Sequence, residues 1–430
     1  MPGPAPTTWR GLVGAASLDV PVPIGTPMSG YAARTSPSTG TADPMTVRAL
    51  VVDRVALVAV DCCALHERTC ESIRTRLLDD GVVDEVVVAA THTHAGACIT
   101  PGRLGRESPE VRTAAGRTAI RAVLIAAGGV VPARASHGEQ HGAGIAHNRR
   151  HLDRPIDPPV QVLAFDDASD RRIATLVTHP CHPVVLDASN TLVSADFVAA
   201  LRDQVEAAHP GSTCIFMTGA AGDVNDGHPA EASFTATGAG ARSFDDAERI
   251  GRALGAAALD APLEPILGDD RAAAAHHPVV LAFEPFDRAA VTADVASWRQ
   301  RLTTEPELAP LLHLWLAWAQ QMLAQPVLPT SWTGRVVVVS IGGARIVTLP
   351  GEPFLAAADT LRALRGPLQG PTLVLGYSDG VPGYLPPRDE YQHGGYEVVD
   401  AHRYYGMPAP FAAGSLEQLL AAAGQLLLPE

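Results

Sequence analysis

The sequence predicts an α/β fold, with a mixed, largely parallel sheet that is layered with helices and accompanied by an accessory helical segment. Three observations support this prediction. Short runs rich in β-branched residues alternate with longer segments of helical period, several runs end in a polar residue or a glycine turn, and one later stretch has only helical spacing. Because ligands of open α/β sheets bind beyond the carboxyl ends of the strands, we expect the active site there.

The first half of the chain contains most of the predicted strands and helices. Apolar, β-branched runs predict strands at residues 47–53, 55–61, 85–90, 160–165, 173–178 and 214–217. Apolar residues at helical spacing predict helices at residues 64–78, 109–127, 197–208 and 244–258. Strands and helices thus follow one another in the order typical of a layered α/β domain.

The second half returns to strands after a helical interruption at about residues 285–330. Three tryptophans in this region are expected to pack the accessory helices together, since apolar positions at helical spacing usually form a core. Strands are predicted next at residues 335–341, 344–349 and 372–376, the first two joined by a Gly-Gly hairpin turn. We expect one domain at residues 9–410, followed by a segment, 411–430, whose helix opens with a capping box at Ser415 and docks on the body.

Composition and charge exclude several classes of protein. With 430 residues, 47% of them hydrophobic and 18% charged, the chain is globular rather than disordered or fibrous. The net charge of −14 disfavours binding to the phosphates of nucleic acids or to anionic lipids. We therefore expect a small-molecule substrate, with neither nucleic acid nor a membrane as a partner. The sequence leaves homo-oligomerisation open.

The sequence also carries an expectation about compartment. Three prolines and a single arginine precede the first apolar run, which is unlike the charged start and continuous apolar stretch of a secretory signal. The six cysteines form no CxxC pair and mostly lie in apolar runs, as reduced core cysteines do. We expect a cytoplasmic protein with free thiols.

The most informative local motif is Thr91-His92-Thr93-His94, directly after a predicted strand. Residues two apart on an extended segment point to the same side, so His92 and His94 can present two imidazoles to one metal ion. The alternative is that these side chains are solvent-facing or hydrogen-bonded.

Other candidates also follow predicted strands. His179 and His182 form a second pair after residues 173–178, and Asp61 ends an earlier strand. Asp196 precedes a predicted helix, where it either caps that helix or supports an imidazole by a hydrogen bond. Glu352, between a strand and a helix, is suited to be a metal ligand, a general base or a charge at the helix N-terminus.

The segment 219–225 is glycine-rich but lacks the spacing of a nucleotide-binding loop. It is better interpreted as a turn whose glycines let another group come close to the backbone, so that N–H groups or Asn225 face an oxyanion or a carbonyl. A tyrosine-rich loop, 377–405, follows the last predicted strand.

Taken in order, these motifs resemble the neutral/alkaline ceramidase catalytic domain. The resemblance extends from about residue 12 to residue 405 and rests on Met28-Ser29-Gly30-Tyr31-Ala32, Asp61, Thr91-His92-Thr93-His94-Ala95-Gly96, Asn148-Arg149-Arg150, the stretch 179–196, Gly222-Asp223-Val224-Asn225, Pro350-Gly351-Glu352, and Gly383-Tyr384 ahead of Asp389-Glu390-Tyr391. THTH with the downstream glutamate and tyrosine is its most specific part.

The resemblance implies one catalytic zinc ion and roles for particular residues. The implied zinc ligands are His92, His179, Glu352 and Tyr384, and Tyr377 remains an alternative for the tyrosine. The substrate side would be lined by His94 and Arg150. His94 or Tyr384, together with Arg150, would stabilise the oxyanion or protonate the leaving group, and Asn225 would orient the carbonyl. Residues expected to support the ligands are Asp61, His182 and Asp196.

Two departures from the family bear on the substrate. Where ceramidases place a serine, this chain has Asn225, and the family's secretory signal and C-terminal immunoglobulin-like domain are not found. We therefore expect a zinc hydrolase of an amide, or of an ester or lactone, in a soluble small metabolite. A zinc lyase and a non-catalytic metal- or ligand-binding protein are the alternatives.

Overall fold

The computed structural model describes residues 7–235, 242–268, 271–364 and 370–427. Its strands are β1 (Arg10–Asp19), β2 (Gly40–Thr41), β3 (Thr46–Val52), β4 (Val55–Val60), β5 (Glu85–Ala90), β6 (Val131–Gln140), β7 (His147–Asn148), β8 (Val160–Asp167), β9 (Arg172–Thr178), β10 (Leu192–Val193), β11 (Thr213–Phe216), β12 (Val224–Asn225), β13 (Glu264–Pro265), β14 (Ala273–Ala282), β15 (Ser331–Ile341), β16 (Ala344–Thr348), β17 (Glu352–Pro353), β18 (Thr372–Leu375) and β19 (Tyr384–Leu385). Its helices are α1 (Glu67–Asp79), α2 (Pro109–Gly128), α3 (Phe197–Ala208), α4 (Phe244–Asp260), α5 (Arg288–Thr304), α6 (Ala309–Ala324), α7 (Leu355–Ala363) and α8 (Ser415–Leu427).

The larger sheet has nine strands, in the order β11-β9-β8-β6-β1-β3-β4-β5, with β13 paired to β6. It is mixed, as predicted, but the expectation of a largely parallel sheet is wrong. Among its described neighbours, only β4 with β5 and β9 with β11 are parallel. A helix crosses between the strands in both cases, whereas the two-residue turn from β3 to β4 permits only antiparallel pairing.

A second sheet, of strands β14-β15-β16-β18, packs face to face against the larger one. Alternate residues of a strand point to opposite faces, so Val87 of β5 and Val337 of β15 lie in the apolar core between the sheets. Their neighbours Val88 and Val338 lie in a second core, under the helices on the outer faces. The molecule is therefore layered as helix, sheet, sheet and helix, and the second sheet layer was not predicted.

Helices cover both outer faces. The larger sheet is covered by α1 and α2 towards one edge and by α3 and α4 towards the other. The smaller sheet is covered by α7 and by α8, which buries Leu416, Leu419 and Ala423 in the core. Residues 428–430 of the predicted C-terminal segment lie outside the described residues.

The accessory helical segment is an antiparallel pair, α5 and α6, within the predicted residues 285–330. As predicted, its tryptophans form a core of their own. The guanidinium of Arg403 lies over the rings of Trp298, Trp315 and Trp318, at 4.7 to 5.5 Å from their centroids. Cation–π contacts of this kind attach the helical pair to the C-terminal loop of the body.

The six cysteines are all buried and free, as predicted. Among the described residues, no helix combines the length and the apolar character that crossing a membrane requires.

Candidate active site

Polar side chains from both sheets meet beyond the carboxyl ends of four strands. His92 and His94 follow β5, His182 follows β9, Glu352 follows β16 and Tyr377 follows β18. This is the place at which the fold class predicts an active site.

Two imidazoles and one carboxylate converge at the centre of this region. Oε2 of Glu352 lies 3.0 Å from Nε2 of His182 and 3.2 Å from Nε2 of His92. All three side chains are fully buried, and one ligand atom from each lies within 4.8 Å of the other two. This donor set, two neutral nitrogens and one anionic oxygen, is one that zinc accepts.

Both imidazoles are oriented by backbone carbonyls. Nδ1 of His92 lies 2.6 Å from the carbonyl oxygen of Cys63, and Nδ1 of His182 lies 3.0 Å from that of Val224. Because a carbonyl only accepts hydrogen bonds, each Nδ1 carries a proton, and Nε2 is the nitrogen of each ring that faces the carboxylate and is positioned to bind a metal ion.

His92 also has a left-handed backbone, with φ of 66°. A non-glycine residue in this region costs on the order of 1 to 3 kcal/mol and persists where the surrounding structure enforces it. Here the amide of His92 donates to the carbonyl of Cys62 while its imidazole is held by Cys63. In this strained backbone conformation, Nε2 of His92 faces Glu352.

The electrostatics of the three residues favour a cation. Burial lowers the pKa of His92, but the charge of Glu352 and the hydrogen bonds of the ring outweigh it and raise this pKa to about 10. Burial alone would raise the pKa of Glu352, yet the imidazoles hold it well below its usual value. His182 shows the opposite shift, to about 4, mainly through burial. The carboxylate thus keeps a negative charge in a buried site.

The structure places His182, rather than the expected His179, beside His92 and Glu352. Among the described residues, His179 belongs to no group that could hold a metal ion. Its Nδ1 faces the carbonyl of Pro159 at 3.3 Å, and its buried Nε2 has no partner. The chain turns beyond β9, where the amide of His182 donates to Val224, and this turn carries His182 rather than His179 to the carboxylate.

Tyr384, the tyrosine implied as a ligand, lies beside this group. Its backbone pairs with that of Glu352 in a short parallel ladder, and its ring is nearly parallel to that of His182, with centroids 6.4 Å apart. The hydroxyl oxygen accepts a hydrogen bond of 3.0 Å from the guanidinium of Arg149. The phenolic hydrogen of Tyr384 therefore remains available to another acceptor.

Two further tyrosines contact the ligand group. Tyr377, the alternative left open by the sequence, stacks on His92 with ring centroids 4.3 Å apart, and its buried hydroxyl has no hydrogen-bond partner. Tyr405 donates its hydroxyl to Oε1 of Glu352. The sequence did not identify Tyr405, although it lies at the end of the tyrosine-rich loop.

A cavity of about 580 Å³ lies next to the site and is lined by side chains that contact the candidate ligands. His94 lies in its wall, with Nε2 at 3.3 Å from Nε2 of His92, together with Tyr384 and Tyr405. The far side of the cavity is formed by His313 and Leu314 of α6, so the accessory helices contribute to the site.

Arg150, which we expected on the substrate side, instead binds other residues of the protein. Its guanidinium pairs with Glu390 and Glu397 and donates to the carbonyl of Gly394. The preceding residue, Arg149, makes the contact with Tyr384 instead. Both arginines also donate to the carboxylate of Glu397, but only Arg149 reaches the hydroxyl of Tyr384.

Asn225 also departs from the expected role. Its Oδ1 accepts from the amides of Gly227 and His228, and its Nδ2 donates to the carbonyl of His228. All these partners belong to the turn that follows β12, so the side chain stabilises that turn with Oδ1 and with one of the two hydrogens of Nδ2.

Asp61 and Asp196 are structural in these positions. Asp61 forms a buried, two-point ion pair with Arg202 and accepts from Thr46. Asp196 caps α3 and accepts from the amides of Leu186 and Phe197. Of the two roles predicted for Asp196, the structure shows the helix cap.

The fold has counterparts among solved structures. Scans against protein-family models and curated proteins find no match. The crystal structure of neutral ceramidase from Pseudomonas aeruginosa is similar with a TM-score of 0.73 and 17% identity over 99% of this chain and 76% of that chain. A ceramidase complexed with C2 gives 0.72 and 17%, over 98% and 75%. This chain has a ceramidase-like fold.

Proposed function

We propose that this protein is a zinc-dependent hydrolase that cleaves an amide bond, or an ester or lactone, in a small molecule. The single observation that carries the proposal is the convergence of Nε2 of His92, Nε2 of His182 and Oε2 of Glu352 in a buried site. Backbone carbonyls hold Nδ1 of both imidazoles, which directs Nε2 of each ring towards the proposed metal position. The likeness to solved ceramidases supports the choice of an amide bond.

The residues present fit zinc as the resident metal. In our proposal His92, His182 and Glu352 hold the ion, and an open position remains for water and substrate, as in catalytic zinc sites. A bound zinc ion would polarise the substrate carbonyl and lower the pKa of water towards neutrality.

The protein groups around the ligands supply orientation and hydrogen bonds. Tyr384 can donate its phenolic hydrogen to the carbonyl oxygen as negative charge develops there, because its oxygen is already engaged by Arg149. His94, in the cavity wall, can exchange a proton with the leaving group through Nε2. Tyr405 fixes the carboxylate of Glu352 from the opposite side.

Metal analysis and a turnover screen test the proposal. We expect about one zinc per chain in the purified protein, and zinc-dependent turnover of at least one substrate class in a panel of N-acyl compounds, esters and lactones. Mass spectrometry of products formed in ¹⁸O-labelled water identifies hydrolysis, because one product then carries the label.

Each result has a definite meaning. Protein without stoichiometric zinc after growth in zinc-replete medium would contradict the metal site. Products that contain a new double bond and no label would contradict hydrolysis and favour the lyase. Stoichiometric zinc without turnover across the panel would favour a binding protein.

A further inference from the structure

The cavity above the candidate site has basic side chains that no acidic side chain in its wall balances. Arg34, Arg106 and His313 line it, and among its described lining residues there is neither aspartate nor glutamate. This contrasts with the chain as a whole, which has 46 acidic and 32 basic side chains. A positively charged cavity in a protein of negative net charge indicates that the cavity attracts anions.

Arg34 contributes a buried positive charge. The residue is only 9% exposed, and its guanidinium donates to the backbone carbonyls of Ser29, His94 and Asp187 at 2.6 to 3.0 Å. Its described hydrogen bonds go to backbone carbonyls and not to a carboxylate, and its buried Nε has no partner. The carboxylate of the nearby Asp196 is engaged by backbone amides. Burying a charge without a counter-ion is costly, so an anion in the cavity would relieve this cost.

Arg106 and His313 add accessible donors. Arg106 lies in the loop before α2 and His313 lies on α6, so they come from two different walls of the same cavity. Both side chains are exposed, and neither takes part in a described ion pair. An arginine fork is well shaped to bind a carboxylate through two hydrogen bonds.

The remaining wall is apolar and aromatic. Met28, Leu104, Leu314, Tyr396 and Tyr404 face the same space. A ligand that fits the whole cavity therefore combines an apolar body with a negatively charged group.

Building on the hydrolase function, we propose that the substrate is an N-acyl amino acid or a similar amide that carries a free carboxylate. Arg106 and His313 bind the carboxylate, and the buried charge of Arg34 strengthens the attraction. The scissile amide then lies towards His94 and the metal ligands, and the acyl chain contacts the apolar wall.

Binding to paired probes tests this inference independently of turnover. N-hexanoyl derivatives of several amino acids are each compared with the corresponding primary amide, which keeps the shape and removes the charge. We expect isothermal titration calorimetry with the full-length protein to show at least about tenfold tighter binding of the acid in at least one pair. In Arg106→Gln the preference should shrink towards parity, and Arg106→Lys should retain part of it.

Arg299→Gln is the matched control, since Arg299 is an exposed arginine on α5 outside this cavity. Equal binding of acid and amide in every pair, absence of any acid that binds, or a preference unchanged in Arg106→Gln would overturn the proposal. Selective binding of acids without their hydrolysis would support the carboxylate site and count against the hydrolase function. Hydrolysis of neutral amides without any preference for the acids would support the hydrolase function and count against the carboxylate site.

Discussion

Tyr405 donates its phenolic hydrogen to Oε1 of Glu352, so that only Oε2 of this buried carboxylate faces the imidazoles of His92 and His182. The hydrogen bond fixes the rotation of the carboxylate and satisfies the oxygen that the imidazoles do not contact. Support of this kind orients metal ligands and tunes their affinity.

We predict that Tyr405→Phe weakens zinc binding by about 10- to 100-fold, because Oε1 of Glu352 loses its partner and the carboxylate is no longer held in one orientation. Competition with a chelator of known affinity measures the effect. Tyr391→Phe is the control, since Tyr391 donates to the carbonyl of Phe411 and has no contact with the ligand group. Equal zinc affinity in both variants would show that Tyr405 does not contribute to zinc binding.

The two neighbouring histidines, His179 and His182, should respond differently to the same substitution. His182→Gln is expected to lose most of its zinc, because Nε2 of His182 faces Glu352. His179→Gln is expected to keep about one zinc per chain. Elemental analysis of both variants, with circular dichroism to verify folding, decides the matter. Zinc loss in folded His179→Gln with retention in His182→Gln would restore the ligand set implied by the sequence resemblance.

Gly222 approaches Glu352 closely enough to make a side chain intolerable. A Cβ added at Gly222 would lie 2.5 Å from the carbonyl oxygen of Glu352 and 2.8 Å from Cδ1 of Phe354. We predict that Gly222→Ala displaces Glu352, with loss of zinc and a lower melting temperature.

Gly116→Ala provides the comparison, because Gly116 lies within α2 and a Cβ there has no neighbour within 4 Å. That change should raise the free energy of unfolding by about 0.8 to 1 kcal/mol and leave zinc content unchanged. Normal zinc content in Gly222→Ala would show that the backbone turn can move away.

Asp61 should make the protein sensitive to acid. Burial raises the pKa of Asp61, but Arg202 and Thr46 outweigh it and hold this pKa below its usual 3.8. The folded state thus binds the proton less readily than the unfolded state, so the stabilisation is fully present above pH 3.8 and is lost as the pH falls towards the folded pKa. Asp61→Asn should cost about 3 to 5 kcal/mol at neutral pH by leaving Arg202 unpaired.

Urea denaturation at neutral pH and below pH 3.8 measures the difference in free energy of unfolding between the wild type and Asp61→Asn. We expect this difference to be smaller in acid. Asp84→Asn breaks an exposed pair with Arg54 and should have a much smaller effect, because solvent screens it. A difference between the wild type and Asp61→Asn that is independent of pH would contradict the assigned role of the Asp61 charge.

The sequence predicted the helices of the first half to within three residues at either end, including α3 at residues 197–208. Helical period and capping residues are local signals, and they were therefore sufficient to predict where these helices begin and end. The direction of strand pairing was predicted wrongly as largely parallel, and the second sheet layer was not predicted. They depend on which apolar faces meet, and Val87 and Val88 are equally apolar although they face different cores.

The sequence by itself determined that His92, His94 and Glu352 are candidates for one site, since each follows an apolar strand and strand ends converge. It did not distinguish His179 from His182 or Arg150 from Arg149. Only the tertiary structure showed that His182 contacts Glu352 and that Arg149 contacts Tyr384, because identical residues close together in the sequence acquire different contacts once the chain folds. The same holds for Tyr405, which lies 53 residues after Glu352 in the sequence and contacts it only in the folded chain.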